Sequence, residues 1–256
     1  NYKRNDPFNI WFTVAVPPAD SLEEVVNLLH ALAKAEETII LPTLRLYKIG
    51  VKLDLTGQES PYESAEEIYN EQRRNSPKPP LTEQDIRLIR IMQEDLPMLE
   101  IPYAVWAEQA DVTEDELFAW ARKMEHLGYM RRFAAILHHR NAGFKANAMV
   151  VWQVPQEQVD AVGEQMALFR EVSHCYRRPV YPSWPYPVFT MIHAETHSAC
   201  MDVVKRIEDR VGQFPHKSLF STQEYKKIRV KYFTPELDQW WRDVGSKIQV
   251  QGTHGQ

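Results

Sequence analysis

One segment of this chain occurs twice, and the duplication limits what the chain can fold into. Residues 1–4 read NYKR and are followed, after a spacer, by Phe12-Thr13; residues 175–178 read CYRR and are followed, after a longer spacer, by Phe189-Thr190. The far ends of the copies match as well, TLRLYKIGVK at residues 43–52 aligning without gaps to TQEYKKIRVK at 222–231. Two related units are therefore expected, the first beginning in its middle. A tyrosine beside paired basic residues on a strand can present a row of cations to an acidic ligand, so the repeat points to a site as well as to a fold.

Hydrophobic periodicity fills in the elements. Residues 10–16 form a β-rich apolar run stopped by Pro17-Pro18, residues 21–34 have helical spacing with Ser21 as cap, and residues 44–55 alternate as a strand does. Residues 57–80 are polar, charged and closed by Pro77, Pro79 and Pro80, which reads as an interdomain linker. Three short helices follow: Thr82 caps residues 85–93, Pro102 opens a helix to Ala110, and Thr113 with Glu116 forms a capping box for residues 117–127, ended by Gly128. With residues 129–133 behind them they have the order of a winged helix-turn-helix. The remainder reads as strand 148–154, helix 156–169, strands 172–178 and 188–194, helix 198–211 and strand 222–231, a βαββαβ order.

The fold class expected is therefore α+β, with ferredoxin-like units and a winged helix-turn-helix domain between them. The boundaries are residues 1–56 for the second half of a first unit, 57–80 for the linker, 81–132 for the winged domain, 133–250 for the complete second unit and 251–256 for a tail. Length and composition agree: 256 residues at 44% hydrophobic content suffice for two cores. A balance of 30 basic against 35 acidic residues gives net charge -5, a poor overall field for coating nucleic acid, so any basic site must be local. Two cysteines, Cys175 and Cys200, make no disulfide framework or metal-ligand spacing, which makes a reducing cytoplasm the default compartment. No apolar run approaches the roughly 18 residues of a membrane span.

A winged helix-turn-helix followed by a ferredoxin-like domain resembles the Lrp/AsnC regulators. Within that family, HHRNAGFKANAMVVWQVP (138–155), VSHCYRRP (172–179) and WPYPVFTMIHA (184–194) resemble the siroheme decarboxylases of the haem d1 and alternative haem pathways, while NYKR and LPTLRLYKIGV (41–51) are similar to the companion subunit or fused half of those enzymes. The resemblance implies removal of two acetate carboxylates from siroheme as CO2, giving 12,18-didecarboxysiroheme. It implies no separate cofactor, because the iron arrives with the substrate. Siroheme and related iron tetrapyrroles are the expected ligands, and a homo- or hetero-oligomer through AsnC-type domains is the expected assembly.

An octa-acid macrocycle needs cations at its rim, flat apolar contacts and a nitrogen that approaches iron or delivers a proton. Arg177 and Arg178, Tyr2, Lys3 and Arg4, Arg140, Tyr176 and Trp184 are the candidate substrate contacts, with Trp152 as a further flat surface. Histidine suits the proton donor because its unperturbed pKa, about 6.5, lies close to working pH. His139 and His193 lead, with His174 third, and either His139 or His193 is the candidate ligand of the substrate iron. Strand alternation puts His174, Tyr176 and Arg178 on one face and Cys175 and Arg177 on the other, so one arginine of the pair need only be solvated. His193 stands where the first unit has Val16, which favours one principal site in the second unit with the first as partner or lid. Cys175 reads as a small buried filler, Trp240-Trp241 as core or interface anchors, and Lys226, Lys227, Arg229 and Lys231 as charges that solubilise an edge strand.

Two rival readings are a transcription regulator and a non-catalytic tetrapyrrole carrier. The third helix of the winged domain opens with Glu114, Asp115 and Glu116, and acidic residues outnumber basic ones 11 to 4 between Leu81 and Gly128. Such a helix repels phosphate, so DNA binding is not expected. Carrier and enzyme need the same contacts and differ only in turnover.

Overall fold

The computed structural model describes residues 1–16, 21–50, 77–130, 133 and 146–245. These residues divide into two compact units, one built from residues 1–13, 39–72 and 134–227, the other from 14–38, 73–133 and 228–256. Among the described residues no helix is long and apolar enough to cross a membrane.

The first unit is a seven-stranded sheet. Its strands are β1 (Tyr2–Arg4), β2 (Ile10–Trp11), β3 (Arg45–Ile49), β4 (Ala146–Trp152), β5 (Val172–Arg177), β6 (Val188–Ala194) and β7 (His216–Glu224), in the order β2-β1-β7-β4-β6-β5-β3. The central four, β7-β4-β6-β5, with the intervening helices described below, make the βαββαβ ferredoxin-like arrangement. The strands of the first copy do not pair into a sheet of their own. They extend the second copy's sheet at both edges, β1 antiparallel to β7 and β3 antiparallel to β5. Since NYKR corresponds to CYRR in the repeat, β1 is the counterpart of β5 and β3 that of β7, so each copy's early strand pairs with the other copy's late strand.

One face of the sheet packs on the two helices. Ala146, Ala148, Val150 and Trp152 of β4 and Val188, Ile192 and Ala194 of β6 alternate onto it, as the period of two requires. The helix Val159–Ala167, here α5, supplies Val159, Val162 and Met166, and α6 (His197–Val211) supplies Cys200, Val203, Val204 and Ile207 at the spacing of one helical stripe. Thr196 caps α6 by accepting from the Ala199 N–H, and Gly212, at φ 101°, ends it in a conformation side chains rarely adopt. Trp152 is wholly enclosed here, its indole N–H donating to Thr190 Oγ1 at 3.0 Å, so it offers no surface to a ligand, contrary to expectation.

The second unit contains α1 (Leu22–Ala33), capped by Ser21 as its sequence suggests, and three helices around one small core, α2 (Glu83–Met92), α3 (Pro102–Ala110) and α4 (Glu114–His126). Leu88, Trp106, Ala107, Ala110 and Leu117 form that core. Thr82 with Asp85 and Thr113 with Glu116 both close capping boxes, and Trp120 Nε1 donates to Asp85 Oδ1 at 2.8 Å. Burial acts to raise the Asp85 carboxyl, but the bonds from Thr82 and Trp120 outweigh it and hold the pKa below its ordinary value. A last short helix, α7 (Pro235–Trp240), follows.

The strand expected at 148–154 is shifted to Ala146–Trp152 and that at 172–178 ends at Arg177, and three other strands differ more. The run at 10–16 pairs only over Ile10–Trp11, where β1 offers a partner. The strand expected at 44–55 is seen as Arg45–Ile49, residues 51–55 lying outside the described set. The last strand begins at His216, opposite Trp152, and ends at Glu224, opposite Tyr2; the Tyr225 and Lys226 N–H groups still donate to the Asn1 carbonyl, and among the described residues 227–231 join no strand despite their alternation. A polar-apolar alternation makes a strand only where an edge is available to pair with it. The basic residues at 226–231 are exposed, and Arg229 and Lys231 pair with Asp95 and Glu94. The linker lies largely outside the described residues.

Gly163 lies where α5 crosses Tyr47 of β3, and a Cβ there would overlap three ring carbons of Tyr47, at 2.3, 2.6 and 2.7 Å. The ring cannot easily yield, because its hydroxyl donates to Asp160 at 2.5 Å. Gly163→Ala should therefore lower stability by about 1–3 kcal/mol, the usual scale of overpacking, read from urea unfolding of the full chain.

Candidate functional site

Among the described residues, the face of the sheet away from the helices is covered in part by the first copy. Phe8, Trp11, Ile39 and Leu41 of the first copy pack over Val151, Phe189 and Leu219, enclosing Trp184 with Tyr181 and Tyr186. Phe8 and Trp11 meet Trp184 at centroid distances of 5.3 and 5.4 Å. The first copy thus covers part of this face. Met149 of β4 and Tyr176 of β5 border this cluster, and the same face continues through Asn147 of β4, Met191 and His193 of β6 and His174 of β5, all half-buried.

A β-bulge brings the two histidines together. Along β5 the register passes from Val172 opposite Ile192 to His174 opposite Met191, so two residues of β5 oppose one of β6. The inserted residue reverses the alternation, which is why Val172 and Cys175, three apart, both lie in the helix-side core. Ser173 sits at the bulge, 2% exposed. Its Oγ lies 2.7 Å from His174 Nδ1 and 2.8 Å from His193 Nε2. Ser173 was not among the residues expected here. The signal in the sequence is the pair of apolar positions at Val172 and Cys175, a spacing that no regular strand puts on one face.

The arginines separate by face. Arg178, half-buried on the histidine side, lies over Tyr176 and Phe189 at 5.0 and 5.4 Å from the ring centroids and donates Nη1 to the Leu41 carbonyl. Arg177 points to the helix side, where Nη1 meets Asp160 at 3.2 Å, and Arg45 meets the same carboxylate at 3.0 Å. Partial burial acts to raise the Asp160 carboxyl, but the Tyr47 hydroxyl and the two guanidiniums outweigh it and hold its pKa low. Burial, then the bond to Asp160, pushes the Tyr47 hydroxyl up. Arg177 is thus part of a strand-to-helix ion network rather than of the open face, a correction to its expected role.

Arg4 repeats Arg178 in the other copy. It lies 5.9 Å from the rings of both Tyr2 and Trp11 and donates Nη1 to the Leu219 carbonyl at 2.8 Å. Each arginine therefore stacks on the tyrosine two residues before it and on an aromatic of the next strand, and reaches a carbonyl of the opposite copy. Arg4 is 7% exposed, and burial lowers its pKa. It is enclosed as a latch between the copies and is not placed to touch a ligand. Lys3 is exposed and Tyr2 half-buried on β1, four strand spacings or about 19 Å from β5. Trp184 is fully enclosed beneath Phe8 and Trp11, so it supports the wall instead of forming its surface. Burial likewise pushes up the thiol of Cys175, which lies wholly inside the core. His139 and Arg140 lie outside the described residues.

Comparison with known proteins gives this arrangement a lineage. The AsnC-like ligand binding domain family matches residues 1–48 and 141–226, and the siroheme decarboxylase NirDL-like HTH domain family matches residues 85–131. A siroheme decarboxylase of Hydrogenobacter thermophilus is 37% identical over 245 residues, covering 95% of this chain and 71% of that protein. A siroheme decarboxylase beta subunit of Methanosarcina barkeri is 41% identical over 147 residues, 57% of this chain and 97% of that one. The crystal structure of the siroheme decarboxylase NirDL in co-complex with an iron-uroporphyrin III analogue is 30% identical, with TM-score 0.69 over 97% of this chain and 70% of that one.

The Asp160 network has a measurable pH signature. Its folded-state pKa is depressed, so its contribution is present above the unfolded carboxylate value, about 3.9, and is lost as pH falls through the folded value. Asp160→Asn should cost up to about 1 kcal/mol near neutral pH, the carboxylate being partly solvated, and the gap to the unsubstituted protein should close on acidification in denaturant titrations.

Proposed function

The chain belongs to the siroheme decarboxylase family, and on that premise we propose that the half-open face of its sheet removes two acetate carboxylates from siroheme, giving 12,18-didecarboxysiroheme. One observation carries the assignment: two imidazoles, His174 and His193, meet one serine oxygen on the sheet face they share with Met149, Met191 and Tyr176, in a domain that matches the AsnC-like ligand binding family. A macrocycle lies flat on such a surface, and Arg178 at its rim offers a cation to the carboxylates.

The chemistry needs little else. In each step the bond between the side-arm methylene carbon and the carboxylate carbon breaks and CO2 leaves with no change of redox state. The electron pair stays on the methylene carbon, and a proton from an imidazole N–H completes the methyl group. One proton is consumed per CO2. Neighbouring apolar side chains and the first-copy cover restrict water, which strengthens the pairing between carboxylate and guanidinium before the bond breaks. His139, the remaining histidine implied by the family resemblance, belongs to the stretch outside the described residues. Relatives bear subunit names, which supports an assembly of more than one AsnC-type module in solution for this chain too.

Anaerobic incubation of the full chain with siroheme, followed by mass analysis of the pigment, tests the reading. The expected product is lighter by two CO2; pigment returned unchanged identifies a carrier. His174→Ala and His193→Ala should each slow turnover by about 100-fold or more, the scale of a lost general acid. Arg178→Gln should raise KM several-fold, whereas Arg177→Gln should act chiefly on stability; the opposite pattern would place the substrate on the wrong face of the sheet.

A further inference from the structure

Ser173 makes more contacts than one hydroxyl proton can serve. Besides the two imidazole nitrogens at 2.7 and 2.8 Å, its Oγ lies 3.3 Å from the Met191 carbonyl oxygen. A serine hydroxyl has one proton to donate and two lone pairs to accept with, and the carbonyl can only accept. Two arrangements are compatible with these contacts. In the first the hydroxyl donates to Met191, and both rings donate to Oγ. In the second the hydroxyl gives up the longer contact to Met191 and donates to one of the two nearer rings, which accepts at that nitrogen, while the other ring donates to Oγ. A neutral imidazole carries a single N–H, so in the second arrangement the accepting ring holds its proton on the nitrogen turned away from Ser173. The position of one hydroxyl proton then decides which histidine is a proton donor on its outer nitrogen.

We propose that Ser173 is a positioning residue that holds His174 and His193 in complementary tautomers and passes a proton between them as each carboxylate departs. The proposal rests on the preceding section in one respect, that these two rings are the proton source. As the carbon–carbon bond breaks, the donor ring gives its outer N–H proton to the methylene carbon. Its inner nitrogen takes the Ser173 hydroxyl proton, and Oγ takes the inner N–H proton of the second ring. The second ring regains a proton from solvent on its outer nitrogen. One proton enters and one is delivered, no electrons change hands, and neither ring finishes charged.

This relay leaves the rings with their roles exchanged. The histidine that accepted from Ser173 now donates to it, and its partner carries the outer N–H. A reaction that removes two carboxylates in succession thus meets a fresh donor in the second ring without a separate recharging step. The bulge explains why a serine does this here: it turns an otherwise interior position to the seam between β5 and β6, where Oγ reaches both rings with the backbone still paired around it.

The first test reads tautomers, not turnover. In substrate-free protein, 15N spectra should show one of the two rings protonated on the nitrogen facing Ser173 and the other protonated on the opposite nitrogen. Both rings protonated toward Ser173 would overturn the proposal. The second test is Ser173→Ala, which removes a single buried oxygen. Expected are a fall in kcat of about 10- to 100-fold, KM for siroheme within about twofold, and loss of the complementary 15N pattern. A variant with kcat within about twofold of the unsubstituted protein eliminates the relay. If that happens while His174→Ala and His193→Ala are inactive, the Ser173 inference alone fails; if both histidine variants keep full turnover, the site itself has been misplaced.

Discussion

Everything on the open face depends on the way the two copies finish each other's sheet. A ferredoxin-like unit has two edge strands, here β7 and β5, and an unpaired edge is a row of unsatisfied N–H and C=O groups. β1 covers one and β3 the other. Because β1 corresponds to β5 in the repeat and β3 to β7, the two junctions are versions of one pairing, seen from opposite ends. Arg4 and Arg178 fasten them in the same way, each stacked on its own copy's rings and bonded to a backbone carbonyl of the other copy. A guanidinium suits this task, since its flat surface stacks while its rim still donates.

That exchange has a chemical consequence. With both edges filled by strands, the first copy's intervening residues are free to fold across the sheet, and Phe8, Trp11, Ile39 and Leu41 cover the side next to Trp184. The uncovered remainder is where the two copies differ most: His193 occupies the position that Val16 holds in the repeat. Duplication therefore supplies symmetry in the frame and asymmetry in the site. The rim charges follow the same division, because alternation along one short strand sends Arg177 into a helix-side ion network and leaves Arg178 beside the histidines.

Much of this was legible in the residues, and the parts that were not share a cause. The βαββαβ order, the cap at Ser21 and the capping box at Thr113 depend on local patterns of a few residues, and the structure shows each of them. The split of Cys175 and Arg177 from His174 and Tyr176 follows from the strand period alone. What local pattern cannot reveal is which edge a strand will meet. Residues 225–231 alternate well, yet among the described residues their backbone bonds run only from Tyr225 and Lys226 to Asn1, while residues 216–219, less regular, form a full ladder because β4 lies beside them. Trp152 and Trp184 were read as flat ligand surfaces for their chemistry; both are interior, because large rings are the cheapest way to fill a junction between layers. Ser173 escaped notice since a serine in a strand carries no signal until a bulge is known to sit there.

The helical unit makes a complementary point about inherited form. In α4 the carboxylate of Glu116 accepts from both the backbone N–H and the hydroxyl of Thr113, at 2.8 and 2.9 Å, and these bonds hold its pKa below the ordinary value. Glu114 and Asp115 add negative charge to the same first turn, where the helix dipole welcomes it. Each of these features stabilises the start of the helix. The three-helix arrangement matches a helix-turn-helix family over residues 85–131, and the first turn of its third helix places its carboxylates where they close that helix's own cap.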